Sequence, residues 1–126
     1  MGAGNLRAVS TDGSEALRRP PVDAVERRNG DVVVRLVGEI DLYNAEEVEA
    51  ALTEVAAEHP ARVVVDLAAV EFVDSTALGA LIEARKELGG ASLSLAAPAP
   101  QVRRALEVAG LVEHFQVHDS VDAALA

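Results

Sequence analysis

The chain alternates short apolar, β-branched runs with longer stretches of helical periodicity. Val22 to Arg28 and Asp31 to Val37 flank Asn29-Gly30, a two-residue hairpin signal because both residues tolerate positive φ. The run Val32-Val33-Val34-Arg35-Leu36-Val37 is apolar almost throughout, which predicts a central strand covered on both faces. A helix follows. Asn44 is its expected cap, with Glu47 as the reciprocal member of a capping box, and Val48, Leu52 and Val55 form one apolar stripe. Glu46, Glu47 and Glu49 crowd its first turn, where the helix dipole favours negative charge. His59-Pro60 ends it. A second central strand is expected over Arg62 to Leu67, and a separate short apolar segment, Val70 to Val73, runs into Asp74-Ser75-Thr76. The second helix turns Leu78, Leu81, Ile82 and Leu88 inward and stops at Gly89-Gly90. Ser92 to Ala96 reads as a strand. The third helix runs from Pro98 or Ala99 to Ala109, with Val102, Ala105, Leu106 and Ala109 on one face and Gly110 at a left-handed cap. Phe115-Gln116-Val117 is a short strand, and Asp119 or Ser120 opens a last helix.

The order β-β-α-β-α-β-α-β-α predicts an α/β domain: a mostly parallel sheet of four to five strands, an N-terminal antiparallel hairpin strand, and four helices. One domain over residues 21–126 is expected, large enough to bury a core without staples. Residues 1–20 are small and polar, lack steady periodicity and close on Arg18-Arg19-Pro20-Pro21, so they read as a flexible extension.

Charge and composition narrow the function classes. Eleven Lys and Arg against 21 Asp and Glu give a net charge of −10, a field that opposes direct nucleic-acid binding. With no Trp, two Phe and one Tyr there is little surface for stacking bases. The absence of Cys removes disulfides, thiolate nucleophiles and cysteine-held metals. The chain start has no apolar signal-peptide core, and no apolar run reaches the roughly 20 residues of a membrane helix. A cytoplasmic protein without membrane attachment, and a monomer, is the expectation.

Topology makes two distant turns neighbours. A right-handed crossover through the first helix sets the second and third strands parallel, so their carboxyl ends open on one rim, where open α/β sheets place function. Asp41 follows the second strand; Asp74 and Ser75 follow the third. Ser75, at the cap or first turn of the second helix, has two readings. A serine there ordinarily caps the helix. It is also a place where a phosphate is accommodated, adding about −1.5 to −2 charges beside Asp74 and Asp41.

Gly38-Glu39-Ile40-Asp41, then an acidic helix, then Val63-Val64-Val65-Asp66-Leu67, then Phe72-Val73-Asp74-Ser75-Thr76-Ala77-Leu78-Gly79 resembles the STAS family of sulfate-transporter and anti-sigma-factor-antagonist domains, in its bacterial anti-sigma-factor-antagonist branch. The resemblance covers residues 22–126. It implies a partner switch. The anti-sigma factor is an ATP-dependent serine kinase; the unphosphorylated antagonist binds it and frees a sigma factor for transcription; a serine phosphatase resets the cycle. Carried over, Ser75 is the phosphoacceptor, Asp74 the acid before it, Asp41 the acid in the facing loop that supports kinase recognition, and Thr76 a second hydroxyl of lesser acceptor potential. Where such antagonists carry Gly two residues after the acceptor, this chain has Ala77, whose methyl is expected to firm the helix start and to crowd an approaching kinase.

Other classes rank lower. Small STAS proteins also serve, unphosphorylated, as subunits of lipid-transport ATPase complexes or as scaffolds in stress-sensing assemblies. For an enzyme no catalytic constellation is visible: Ser75 lacks a Gly-x-Ser-x-Gly elbow, and nothing fixes a pairing of Asp66 with Asp74. His59 reads as a solvated helix end. His114 and His118 flank the last strand with a spacing that aims both to one face, a surface pair rather than a metal site. No phosphate-cradling Gly loop is present, so ATP is assigned to the kinase and no cofactor to this chain.

The acidity is local. Residues 38–58 hold Glu39, Asp41, Glu46, Glu47, Glu49, Glu54 and Glu58 and no Lys or Arg, −7 of the total, against −3 elsewhere. Glu39, Glu46 and Glu47, near the Ser75 rim, are thus a candidate docking surface for a basic partner face.

Overall fold

A computed structural model of the protein describes residues 19–89 and 92–126. Most of the expected N-terminal extension, and Gly90 of the expected helix stop, lie outside them. The elements are β1 (Val22–Arg28), β2 (Asp31–Ile40), α1 (Ala45–Ala56), β3 (Arg62–Val73), α2 (Ser75–Leu88), β4 (Ser92–Ala96), α3 (Pro100–Val108), a 3-10 turn (Leu111–Glu113), β5 (Gln116–His118) and α4 (Val121–Leu125). They build one five-stranded sheet in the order β1-β2-β3-β4-β5. β1 is antiparallel to β2 and every other pair is parallel. Asn29 (φ 53°) and Gly30 (φ 89°) take the left-handed conformations that join β1 to β2, as their types demand.

Strand alternation divides the core. Val32, Val34, Val63, Val65, Leu93 and Leu95 point to the face where α1, α2 and α3 pack Val48, Leu52, Leu81 and Leu106. Val33, Val64 and Ala96 point the other way and meet Ala124 of the short α4. The near-continuous apolar runs of β2 and β3 follow from this two-sided cover.

β2 and β3 run further than their apolar runs predict. β2 continues past Val37 to Ile40, and Val70 to Val73 belongs to β3 instead of forming a separate segment. Two irregularities allow it. Between Arg35 and Val37 the register shifts; there the Asp66 carboxylate accepts the Ala68 N–H (3.0 Å) and the Arg35 Nε–H (3.3 Å). At Gly38 (φ 76°) the register shifts again, and pairing resumes as Glu39 with Phe72 and Ile40 with Val73. β4 pairs with β3 only from Arg62 to Asp66, so β2 and β3 project beyond it as a two-stranded tongue. The Gln101 side-chain amide of α3 donates to the Glu71 carbonyl (3.2 Å) on that tongue.

Smaller departures lie at element ends. α3 opens at Pro100, and Ala109 is exposed beyond it. Ile82 sits half-buried at the edge of the core. Ser120 caps α4, its oxygen accepting the Ala123 N–H (3.0 Å). Phe115 precedes β5, with its N–H closed onto Leu111 (3.0 Å). His114 lies in that same turn (φ −100°, ψ −26°), so two-residue strand periodicity does not relate it to His118.

Candidate functional site

β2 and β3 end side by side, and the two turns that follow are bonded to each other. The Asp74 N–H donates to the Ile40 carbonyl (3.2 Å), continuing the parallel ladder by one step. The Asp74 carboxylate then divides its work. Oδ1 accepts the Ala77 N–H (2.9 Å) and caps α2. Oδ2 accepts the Leu42 N–H (3.1 Å) and holds the turn after β2. One side chain thus fixes both the start of α2 and the position of the Asp41 turn.

That turn has its own frame. The Asp41 carbonyl accepts from Asn44 (3.1 Å) and Ala45 (2.8 Å), and its carboxylate accepts the Tyr43 N–H (3.0 Å). Asn44 is 7% exposed. Its Oδ1 accepts the Asp41 N–H (2.9 Å) and its Nδ2 donates to the Glu39 carbonyl (2.9 Å). The expected capping box is therefore absent: Asn44 stands at the cap position, but its side chain reaches back to the strand end and makes no cap bond to α1. The buried polar groups of the strand–turn junction claim it first.

Asp74, not Ser75, caps α2. Ser75 is the first helical residue and is exposed, as is Thr76 after it. The first turn of α2 contains no acidic residue, whereas that of α1 holds Glu46 and Glu47. The first turn of α2 itself therefore carries no acidic side chain at the positive end of its dipole, and an exposed hydroxyl sits there. Ala77 is 3% exposed and lies in the core, so its methyl points inward; the expectation that it crowds a partner is corrected.

Among the other expected residues, Glu39, Glu46 and Glu47 are exposed and Asp41 is half-buried. Glu58, the last acid of the run, pairs with Arg27 of β1, whose Nε donates to it at 2.9 Å. That hydrogen bond holds the Glu58 carboxyl below its ordinary range. At the rim end of α1, by contrast, Glu46 and Glu47 are exposed in the first helical turn. Asp66, 5% exposed and bonded to Arg35 and Ala68, is a strand-bulge residue and forms no pair with Asp74. His59 is exposed, at φ 54°, past the end of α1. Among the described residues no group of three or more His, Asp or Glu is placed to hold a metal. No described helix is long and apolar enough to cross a membrane.

Charge and motif reading missed the apolar component of the rim. Leu42 is 61% exposed, Tyr43 73% and Phe72 50%. The signal was present as two large apolar residues directly after Asp41, where a turn offers no core to bury them.

A single domain with this strand order, and an Asp-Ser step opening α2 beside an acidic β2 turn, defines the class. The chain belongs to the STAS family: the STAS domain model matches residues 24–124. It is 34% identical over 102 residues to the anti-sigma-F factor antagonist RsfB of Mycobacterium tuberculosis, across 80% of this chain and 84% of RsfB. An anti-sigma factor antagonist from Mycobacterium paratuberculosis is similar in structure, with TM-score 0.76 and 36% identity over 81% of this chain and 88% of that one. The anti-sigma factor antagonist SpoIIAA, in its unphosphorylated form, shares the fold at TM-score 0.70 and 23% identity, over 81% and 91% of the two chains.

Proposed function

We propose that the protein is an anti-sigma-factor antagonist switched by phosphorylation of Ser75. Unphosphorylated, it binds an anti-sigma factor that is also an ATP-dependent serine kinase, and so releases a sigma factor to transcription. The kinase transfers phosphate to Ser75 and a serine phosphatase removes it. The observation that carries this reading is the exposed hydroxyl at the first position of α2, on a helix start whose cap is the carboxylate that also holds the Asp41 turn. Asp41, Asp74 and Thr76, with Glu39 at the end of β2 and Glu46 and Glu47 at the start of α1, form the recognition surface in this reading. The relatives named above are antagonists of anti-sigma factors, which supports the same class of partner here. In this reading the chain is a cytoplasmic binding module: it holds no nucleotide of its own and acts on DNA only through the sigma factor it frees.

The direct test is phosphate mapping. The protein is incubated with each purified serine-kinase anti-sigma factor of its own organism and ATP, then analysed by mass spectrometry. One phosphate on Ser75, lost in Ser75→Ala, is the expected result. Stoichiometric labelling that survives Ser75→Ala, or no labelling by any of these kinases, overturns it. The acidic surface has a separate signature. Glu46→Lys with Glu47→Lys weakens the kinase complex several-fold at low salt, and the difference shrinks as ionic strength rises. Unchanged affinity and an unchanged salt slope assign these residues to solubility alone.

A further inference from the structure

The chain has three aromatic residues, and their placement is uneven. Phe115 is 4% exposed in the core. The other two, Tyr43 and Phe72, are among the four large hydrophobic residues left in solvent among the described residues, with Leu42 and Val108. Three of those four flank the joined turns. Leu42 and Tyr43 follow Asp41, and Phe72 lies two residues before Asp74, in register with Glu39. The Leu42–Asp74 and Asp74–Ile40 hydrogen bonds keep these segments on one rim. Nothing in the fold needs them outside: the core is closed by Val70 (2% exposed) and Val73 (9%) on the same strand and by Ala45 (3%) and Val48 (1%) in α1.

We infer that Leu42, Tyr43 and Phe72 are the apolar anchors by which the Ser75 rim docks a protein partner whose matching face is an apolar socket ringed by Lys and Arg. The inference rests on the reading of Ser75 given above and adds what supplies the affinity. Tyr and other large aromatic side chains dominate interface energetics because they bury much area for few frozen rotors. Charge selects the occupant. Glu46 and Glu47 are exposed in the first turn of α1, directly after the Leu42-Tyr43 turn, so a second copy of this chain set rim to rim would oppose like charges, and an anionic membrane surface would be repelled. A basic protein face satisfies both the apolar centre and the acidic border. In this arrangement the phosphorylation site lies inside the docking footprint, so affinity and modification are read at one place.

The test uses the full chain and the serine-kinase anti-sigma factor that phosphorylates it. Tyr43→Ser and Phe72→Ser are compared with Val108→Ser, which alters an apolar residue at least as exposed, at the far end of α3 from Gln101. The dissociation constant is measured by calorimetry, and folding is checked by circular dichroism. A loss of about tenfold or more for each rim variant, with Val108→Ser unchanged, is the expected result. Tyr43→Ser is decisive if Phe72→Ser is less stable, since Tyr43 is the more exposed. Rim variants that bind like the wild type while Ser75→Glu binds weakly overturn the anchors and leave the switch standing. Rim variants that bind weakly while Ser75→Glu binds normally uphold the anchors and overturn the switch. A wild-type dimer that the rim variants convert to monomer, measured by sedimentation without kinase, identifies a second copy as the occupant and overturns the assignment.

Discussion

Asp74→Ala lowers the stability of the domain by about 2 kcal/mol and uncouples the two turns of the rim. Loss of an N-cap to alanine costs about 1 kcal/mol, and loss of a hydrogen bond to a charged, half-exposed acceptor adds a further increment of about 1 kcal/mol. The two parts separate by choice of substitute. Asn at 74 keeps an oxygen for the Ala77 N–H but turns an amino group toward the Leu42 N–H, so the cap survives and the tether fails. Ser keeps the cap alone. The expected order of stability in urea is wild type, then Asn and Ser together about 1 kcal/mol lower, then Ala. Hydrogen exchange at the Leu42 amide rises in all three, since each removes its acceptor. If Asp74→Ala unfolds like the wild type, the double role of this carboxylate is wrong.

Phosphate on Ser75 weakens the kinase complex by at least about tenfold while leaving the fold intact. A serine that receives a phosphoryl group from ATP must come within bonding distance of the nucleotide's terminal phosphate. After transfer, a group of about −1.5 to −2 charges faces the phosphates of the nucleotide that stays behind, inside a desolvated contact. Within the free domain the same group sits on the positive end of α2. The gain there, about 0.3–1 kcal/mol, is offset by the carboxylates of Asp74 and Asp41. Stability therefore changes little. Ser75→Glu, with one charge and a different shape, gives a smaller loss of affinity in the same direction. Equal affinity for the phosphorylated and unphosphorylated proteins, measured with nucleotide present, refutes the switch.

The parts of the fold legible in sequence are those set by local chemistry. Asn29-Gly30 specified its turn, the valine runs specified two-sided strands, and Gly89 and Gly110 closed their elements at positive φ. The meeting of the Asp41 and Asp74 turns followed from strand order and crossover handedness, and the Leu42–Asp74 bond makes it concrete. What pattern could not supply was the competition for polar side chains. Asn44 and Ser75 each looked like a helix cap. Asn44 is drawn into the strand junction by the Glu39 carbonyl and the Asp41 N–H, and Asp74 takes the cap that Ser75 would have made. The tongue of β2 and β3 was hidden for a similar reason. Its bulges depend on Asp66 filling a gap in the ladder and on Gly38 turning the register, both cross-strand events. The exposure of Phe72 came with that tongue: in a free-standing apolar segment its side was undetermined.

The single tyrosine has an optical consequence. With no Trp in the chain and its only Tyr 73% exposed at residue 43, intrinsic fluorescence comes almost wholly from the turn after β2, which Asp74 ties to the start of α2. Unfolding the domain moves that ring from water to water, so emission followed through a thermal melt declines smoothly with no cooperative step, while circular dichroism reports the transition. The same insensitivity leaves a quiet baseline. A change in emission, in protein freed of kinase, reports what has happened at the Asp41 and Ser75 turns and nowhere else.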